Sequence, residues 1–346
     1  MFPLHSETPT VTIVRVKTFL SGILSTVFQF TESLNNDRFY EDNLLNQMHI
    51  KLGEKARVVF YGDDIWTPQF GEWFTRYDDI DNTNVNDLES NDRHVRKTVE
   101  AEMKESGGDF DFLIMHTTGV DCAGHTHGSR HPDIQRKLLE TEQFIADMID
   151  WMDEETTLVI FGDHGMTEEG SHGGSSELEM HTTMFTYSKK PFPIAKKYNA
   201  MRENFKKLDR TIKQADLAPI GAMLLNLPYP FSNLGVGHPL FAETDDFEVI
   251  LTKMRKNVEQ VLSYVREYCR VTESGWCSEE IAAIESGIAD LDLIDPKTDQ
   301  ERVQKMTDIS VFLNEKYEHL KQIWLEYDLL AMRISIAMAL HLLFFH

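Results

Sequence analysis

Three apolar runs, each ending in polar residues, constrain the fold of this chain more than any other feature. They are ARVVFYGDD (56–64), DFDFLIMHTTGVD (109–121) and TTLVIFGDHG (156–165). None alternates regularly between apolar and polar residues, which is typical of strands covered by helices on both sheet faces. Helical patterns separate the runs, one from His94 to Glu105 and a clearer one from Asp133 to Met152. This alternation predicts an α/β fold with a largely parallel central sheet.

Polar side chains at the ends of these runs are candidates for a functional site. In such folds, ligands bind beyond the carboxyl ends of the strands. The residues predicted at those ends are Asp63, Asp64, Asp121, Asp163 and His164.

The remainder of the chain is predicted to be mostly helical. TTMFTYSK (182–189) suggests one more strand, residues 212–230 suggest a helix that ends before prolines, and helical patterns dominate from Asp246 onward. We expect a catalytic domain over 1–240 and a helical extension over 241–333. The last segment, 334–346, is an apolar run shorter than the roughly 20 residues that span a bilayer. It either begins a truncated transmembrane helix or forms a buried terminal helix.

Composition argues against nucleic acid as a partner and leaves one question about the cysteines. Acidic residues outnumber basic ones by 57 to 34 in a chain of 346 residues, so we expect no binding to nucleic acid. The three cysteines, Cys122, Cys269 and Cys277, include no CxxC pair and therefore suggest no thiolate metal site. Cys269 and Cys277 could pair in an oxidising compartment or remain free thiols.

Three short clusters of aspartate and histidine indicate a metal centre. Asp121 ends the second run and His125 lies four residues further on, while Asp163 and His164 lie in the polar end of the third run. His172 lies in a loop whose neighbouring glycines allow close backbone approach. Oxygen and nitrogen ligands without sulfur suit a catalytic zinc ion that keeps an open coordination position.

The segments GVDCAGHTHGSRHPDIQRKLLETEQFI and LVIFGDHGMTEEGSHGGSSELEM resemble the alkaline-phosphatase superfamily. Within it they are most similar to the GPI ethanolamine phosphate transferases. The patterns GVDxxGHxHGxxHP and HGGxSELE favour the third-transferase type, whereas PTVT and FYGDDIW make the second-transferase type the near alternative. The similarity extends from about Thr8 to Leu234.

This resemblance implies two zinc ions about 3.5–4 Å apart. Asp121, His125 and His172 would hold one ion, and Asp163 and His164 would hold the other together with the nucleophile. It further implies phosphatidylethanolamine as donor, a mannose of the GPI precursor as acceptor, and a small multi-spanning partner subunit. The location implied is the membrane of the endoplasmic reticulum, with the catalytic domain in the lumen.

The nucleophile that the resemblance implies is a threonine ten residues before a turn glycine. In TPTVTIVRVKTFLSG this residue is Thr12, and the turn glycine is Gly22. Zinc would lower the pKa of its hydroxyl for attack on the phosphodiester. Thr10 and Thr18 are alternatives that the residues by themselves do not separate.

Three further residues are candidates for substrate contact. Glu177 and Glu179 follow the histidine loop and could receive the ethanolamine ammonium by charge pairing. His127 lies beside the metal cluster and either contacts substrate or is an ordinary surface histidine.

Two other functions are compatible with the same residues. One is a soluble two-zinc phosphodiesterase or nucleotide pyrophosphatase. The other is an inactive fragment, because the family's first metal-binding aspartate lies on a strand well before the nucleophile. This sequence begins about eleven residues before Thr12, so we expect a domain that lacks that strand and that ligand.

Overall fold

The computed structural model of the chain describes residues 1–24, 38–104, 107–201 and 211–345; the side chains of 198 and 325–345 fall outside this description. The strands in these ranges are β1 (Phe2–His5), β2 (Val58–Asp63), β3 (Arg76–Ile80), β4 (Phe112–Met115), β5 (Thr157–Phe161), β6 (His181–Ser188) and β7 (Ile212–Lys213). The first helices are α1 (Thr12–Ser21), α2 (Leu44–Leu52), α3 (Thr67–Phe70), α4 (Ser90–Lys104), α5 (Gly119–His127), α6 (Pro132–Trp151) and α7 (Glu177–Met180). They are followed by α8 (Ala195–Ala200), α9 (Leu217–Leu224), α10 (Phe247–Thr272), α11 (Cys277–Asp292) and α12 (Asp299–Phe345). Short 3₁₀ helices cover Gly53–Lys55, Gly71–Trp73, Gln214–Asp216 and Pro239–Phe241.

The three apolar runs form β2, β4 and β5, which confirms the α/β fold class. β2 lies between β3 and β4 and is parallel to both. The second sheet has the order β5-β6-β1-β7, in which β6 runs antiparallel to β5 and β1, and β1 runs parallel to β7. The parallel arrangement predicted from sequence therefore holds for the first sheet, and β6 introduces antiparallel pairs into the second.

Helices cover both faces of the first sheet, which explains why its central strand shows no alternation. Val58 and Phe60 of β2 pack in one hydrophobic cluster with residues of α1 and α2. Val59 and Tyr61 point to the other face and pack with residues of α4 and α6. Both faces of β2 are therefore removed from water, which favours apolar residues at consecutive positions from Val58 to Phe60.

Two predicted boundaries change. The helix expected over 212–230 begins only at Leu217, because β7 and a 3₁₀ turn precede it. The Asp216 carboxylate accepts hydrogen bonds from the backbone N–H groups of Lys213 and Val236, at 2.9 and 2.7 Å, and so stabilises this turn.

Asp121, expected at a strand end, lies in the first turn of α5. β1 and β3 were not predicted, because FPLH is short and RYDDI is polar.

The C-terminal helices pack against the preceding region. Buried residues of α10, α11 and α12 share a hydrophobic cluster with Leu24, Ala215 and Leu234. A disulfide joins Cys269 at the end of α10 to Cys277 at the start of α11, and Cys122 is a buried free thiol. Of the two alternatives that the sequence left open for Cys269 and Cys277, the structure has the disulfide.

None of the helices in the described ranges is long and apolar enough to cross a membrane. The backbone of 334–345 belongs to α12, and the side chains of this predicted transmembrane start lie outside the described residues.

A buried ionic contact ties α12 to the segment that leads into α1. The carboxylate of Glu7 accepts hydrogen bonds from the Tyr317 hydroxyl and the Lys321 ammonium. Glu7 and Tyr317 are 6% and 1% exposed, so water cannot replace these bonds. Burial and the Glu7 carboxylate raise the pKa of Tyr317, which keeps its hydroxyl protonated as a donor.

Tyr317→Phe tests this contact. The substitution keeps the ring and leaves one oxygen of a buried carboxylate without its donor, so we expect the free energy of unfolding to fall by about 1–3 kcal/mol. Tyr77→Phe is the matched control, because Tyr77 is 53% exposed. Urea unfolding followed by circular dichroism measures both. Equal stability of the two variants would contradict the stabilising role of the bond.

Candidate metal centre

Thr12 lies at the start of α1, beside an imidazole. Its Oγ1 is 3.2 Å from His164 Nε2. The competing threonines are engaged elsewhere: Thr10 Oγ1 donates to Gly174 O at 2.9 Å, and Thr18 Oγ1 donates to Val14 O at 3.1 Å. Of the three threonines that sequence left open, the structure brings Thr12 into contact with a predicted metal ligand.

Asp121, His125 and His172 come together from α5 and the following histidine loop. Asp121 and His125 are four residues apart on one helix and therefore share a face. His125 Nε2 lies 3.3 Å from Asp121 Oδ2 and 3.0 Å from His172 Nε2. His172 Nε2 lies 3.6 Å from Asp121 Oδ1. The set predicted for one metal ion is thus contiguous in space.

Asp163 and His164 form the adjoining group after β5. His164 Nε2 lies 3.2 Å from Asp163 Oδ2. Burial raises the pKa of Asp163, but the imidazoles of His164 and His116 and the hydrogen bond from Thr12 outweigh it, so the pKa lies below its ordinary value. This aspartate is therefore a carboxylate at neutral pH and available as a ligand.

The two groups touch through stacked imidazoles. The rings of His164 and His172 have centroids 3.8 Å apart and an angle of 23° between their planes. One ligand atom each from Asp121, His164 and His172 lies within 4.8 Å of the others. Burial and the neighbouring His164 lower the pKa of His172, with Asp121 acting in the opposite direction. A neutral His172 imidazole is the form that binds metal.

Two backbone carbonyls select the nitrogen that each of these histidines presents to the centre. His172 Nδ1 lies 2.8 Å from Thr10 O, and His164 Nδ1 lies 3.0 Å from Gly165 O. A carbonyl can only accept, so both Nδ1 atoms carry the proton. In the neutral rings, the Nε2 lone pairs then face the cluster. Such outer hydrogen bonds are the usual support of histidine metal ligands.

The donor set fits a metal ion on this evidence. Lone pairs of imidazoles and carboxylates converge at 3.0–3.6 Å and would repel one another unless a cation lay between them. Nitrogen and oxygen ligands without sulfur suit zinc.

The histidine loop is held by Thr10 and Glu179. Gly173 N donates to Thr10 Oγ1 at 2.8 Å, and the φ of Gly173 is +111°, a value that favours glycine. The Glu179 carboxylate accepts the N–H groups of Gly174 and Ser176, at 2.7 and 3.1 Å, and the Ser176 hydroxyl at 2.6 Å. Glu179 is 5% exposed, so it braces this loop and is not open to a substrate ammonium group.

The other two predicted substrate contacts lie outside the cluster. The Glu177 side chain is 82% exposed and pairs with His181 Nδ1 at 2.9 Å. His127 stacks on His131, with ring centroids 4.3 Å apart.

Three supporting residues escaped the sequence analysis. Lys137 is buried, and its ammonium contacts Asp92 Oδ2 at 2.8 Å. The other Asp92 oxygen accepts the backbone N–H groups of Thr118 and Gly119, at 3.0 and 2.9 Å, where α5 begins. His116 accepts a bond from Trp66 Nε1 at 3.2 Å and lies near Asp163. A single Asp or Lys in a helical pattern does not predict a buried supporting contact, because most Asp and Lys side chains on helices face solvent.

The α/β fold and this cluster of aspartate and histidine agree with the family that sequence comparison identifies. Residues 29–229 match the family described as type I phosphodiesterase / nucleotide pyrophosphatase, and the chain belongs to this family. The family is generally metal-dependent, and the described residues include groups of side chains that could hold a metal ion.

The chain is also similar to named transferases. It is 34% identical over 274 residues to GPI ethanolamine phosphate transferase 3, catalytic subunit, of Homo sapiens, covering 77% of this chain and 24% of that protein. It is 33% identical over 268 residues to GPI ethanolamine phosphate transferase 3 of Schizosaccharomyces pombe, with 76% and 28% covered. The human type 2 catalytic subunit is 32% identical over 241 residues, with 68% and 23% covered. The resemblance to the third-transferase type is thereby confirmed, and the chain spans about a quarter of the length of these relatives.

Lys137→Met tests the support of α5. The substitution leaves Asp92 without its buried cation, so we expect the free energy of unfolding to fall by about 3 kcal/mol. Lys104→Met is the matched control: Lys104 pairs with Glu100 on the surface, at 2.7 Å, and should lose no more than about 0.5 kcal/mol. Thermal and urea unfolding measure both variants. A Lys137 variant as stable as its control would exclude the proposed support.

The contribution of Lys137 to the free energy of unfolding should depend on pH in one direction only. Burial lowers the pKa of Lys137, but the bonds to Asp92 and Glu140 outweigh it and raise the pKa above its ordinary value. A raised folded pKa means that the stabilisation is complete below the unfolded pKa, about 10.4, and is lost as pH rises through the folded pKa. The stability difference between wild type and Lys137→Met should therefore be equal at pH 6 and pH 8.

Proposed function

We propose that this chain carries the catalytic centre of a phosphoethanolamine transferase of GPI-anchor assembly. The donor is phosphatidylethanolamine, and the acceptor is a mannose hydroxyl of the GPI precursor. The observation that carries the proposal is the 3.2 Å contact between the Thr12 hydroxyl and His164, within a cluster of converging nitrogen and oxygen donors. The names of the relatives support this substrate class.

Thr12 is the nucleophile in this proposal. Its oxygen forms a bond to the phosphorus of phosphatidylethanolamine while the bond from phosphorus to the diacylglycerol oxygen breaks. The Thr12 hydroxyl loses its proton, the departing diacylglycerol oxygen takes one up, and phosphoethanolamine remains on Thr12. In the second step the mannose oxygen bonds to phosphorus, the bond to Thr12 breaks, and the threonine hydroxyl regains a proton.

The residues around Thr12 prepare this chemistry. The proposed zinc ligands are Asp121, His125 and His172 for one ion and Asp163 and His164 for the other. When bound, zinc supplies positive charge that favours ionisation of the hydroxyl and offsets the charge of the phosphate. Because α1 begins at Thr12, the free N–H groups of its first turn and the helix dipole add positive potential there.

Glu177 is the proposed contact for the ethanolamine ammonium. Its carboxylate is solvent-exposed, unlike that of Glu179, and lies on the short helix that follows the histidine loop. A carboxylate and an ammonium form a charge-assisted hydrogen bond, which would orient the headgroup.

We further propose that the chain works at the membrane of the endoplasmic reticulum, with residues 1–240 as a lumenal catalytic domain. In this arrangement 241–333 form a helical extension, 334–346 begin a membrane segment, and a small multi-spanning subunit is the partner. The Cys269–Cys277 disulfide supports a lumenal location, since disulfides persist in oxidising compartments.

A second candidate activity is hydrolysis of nucleotide phosphodiesters, which the family's description favours. The two activities differ in the group that accepts the phosphoryl residue. Release of nitrophenol from a nucleotide nitrophenyl ester at a rate above the cleavage of phosphatidylethanolamine would favour the hydrolase.

Thr12→Val tests the transferase mechanism. We expect wild-type chain incubated with zinc and phosphatidylethanolamine in detergent to carry phosphoethanolamine on the peptide that contains Thr12, as detected by mass spectrometry. Thr12→Val should carry none, because the attacking oxygen is absent. The matched control, Thr18→Val, removes a hydroxyl from the same helix and should keep the modification at Thr12. Modification of the Thr12→Val peptide at another residue would contradict the assignment.

A further inference from the structure

A separate group of metal-ligating side chains lies at the junction between α5 and α6. It consists of His127, His131 and Asp133, and one ligand atom from each lies within 4.8 Å of the others. The two imidazole rings are stacked, with an angle of 27° between their planes. We propose that these three residues bind a divalent cation of the zinc class, independently of the centre that contains Thr12.

The two distances from Asp133 to the imidazoles are close to those between ligands of a tetrahedral ion. Asp133 Oδ2 lies 3.5 Å from His127 Nε2 and 3.4 Å from His131 Nδ1. Ligand atoms about 2.0–2.1 Å from a tetrahedral zinc ion lie about 3.3–3.4 Å from one another. A single carboxylate oxygen faces both rings, so one ion between them contacts all three residues. Imidazole nitrogen and carboxylate oxygen are ligands that zinc accepts.

Neighbouring contacts orient the carboxylate. Arg136 Nε donates to Asp133 Oδ1 at 3.0 Å, which leaves Oδ2 turned to the imidazoles. Glu89 and Glu140 each contact Arg136 at 2.7 Å and offset its positive charge. His131 Nδ1 accepts the backbone N–H of Asp133 at 3.3 Å, so its lone pair points to this side of the ring. A bound ion takes the place of this long bond.

The backbone fixes the approach of the two rings. Gly128 has a φ of +84°, and its N–H donates to Gly124 O at 2.7 Å, so α5 ends directly after His127. His131 N then donates to Gly128 O at 3.2 Å and returns the chain over the His127 ring. A Cβ at Gly128 would lie 3.1 Å from Glu168 O, so a larger residue would disturb this turn. The ligands are therefore placed before any ion binds.

Helix geometry separates this group from the centre around Thr12. His125 and His127 are two residues apart on α5, and side chains at that spacing point to different faces of a helix. His125 contacts Asp121 and His172, whereas His127 contacts Asp133. The two groups share no ligand.

Zinc content of the full chain tests the proposal. Wild type, His131→Ala and Asp133→Asn are loaded with zinc chloride, desalted, and measured by elemental mass spectrometry. We expect each variant to hold one zinc ion fewer than wild type. His319→Ala is the matched control, because His319 also faces a carboxylate, at 3.1 Å from Glu280, and it should keep the wild-type content.

A His172→Ala background provides a second readout and a check on folding. Reconstituted with cobalt(II), this variant should show visible absorption that includes the peripheral site, and adding Asp133→Asn should lower that absorption by the contribution of one ion. Far-ultraviolet circular dichroism in chelator verifies that the variants fold alike. Wild-type zinc content in both His131→Ala and Asp133→Asn would overturn the proposal.

Discussion

Two hydrogen bonds from imidazole to backbone carbonyl determine what the centre of this protein can do. Thr10 O and Gly165 O take the Nδ1 protons of His172 and His164, and the opposite nitrogens therefore present lone pairs to the cluster. With the carboxylates of Asp121 and Asp163 nearby, the cluster gathers electron-rich atoms that need a cation between them. The same arrangement leaves the Thr12 hydroxyl 3.2 Å from His164 Nε2.

The rest of the fold holds these atoms in place from three directions. Asp92 and Lys137 fix the start of α5 and hence the helix that carries Asp121. Thr10 and Glu179 brace the loop of His172 from both sides. The segment before Thr12 is tied to α12 through Glu7 and Tyr317, so the C-terminal helices contribute to the placement of Thr12.

Strands and helices with a clear hydrophobic pattern were predictable from the sequence. Short or polar strands, and residues whose role depends on contacts distant in sequence, were not. Apolar runs predicted β2, β4 and β5 because their burial leaves a continuous pattern, and spacing predicted α4 and α6. β1 and β3 gave no such signal, because one is four residues long and the other is polar. A capping or bracing role leaves no local pattern, and so the roles of Asp92 and Glu179 emerged only from the three-dimensional contacts.

Some site residues were likewise predictable from the local sequence, and others were not. Asp–His clusters indicated a metal centre through residue type and their placement at strand ends and in the following loop. The choice of Thr12 over Thr10 and Thr18 depended on resemblance to a family. In the structure, Thr10 and Thr18 are bonded to backbone carbonyls, and Thr12 faces His164. Glu179 had the right charge for an ammonium group, but its burial under the loop turns that charge toward backbone N–H groups.

The central proposal is that the donors around Thr12 bind zinc ions. Its most direct test is anomalous X-ray diffraction at the zinc absorption edge, from crystals of the full chain grown with zinc. The account predicts one anomalous peak among Asp121, His125 and His172 and another beside Asp163 and His164, within reach of the Thr12 hydroxyl. An ordered cluster with no anomalous peak in either position would contradict it.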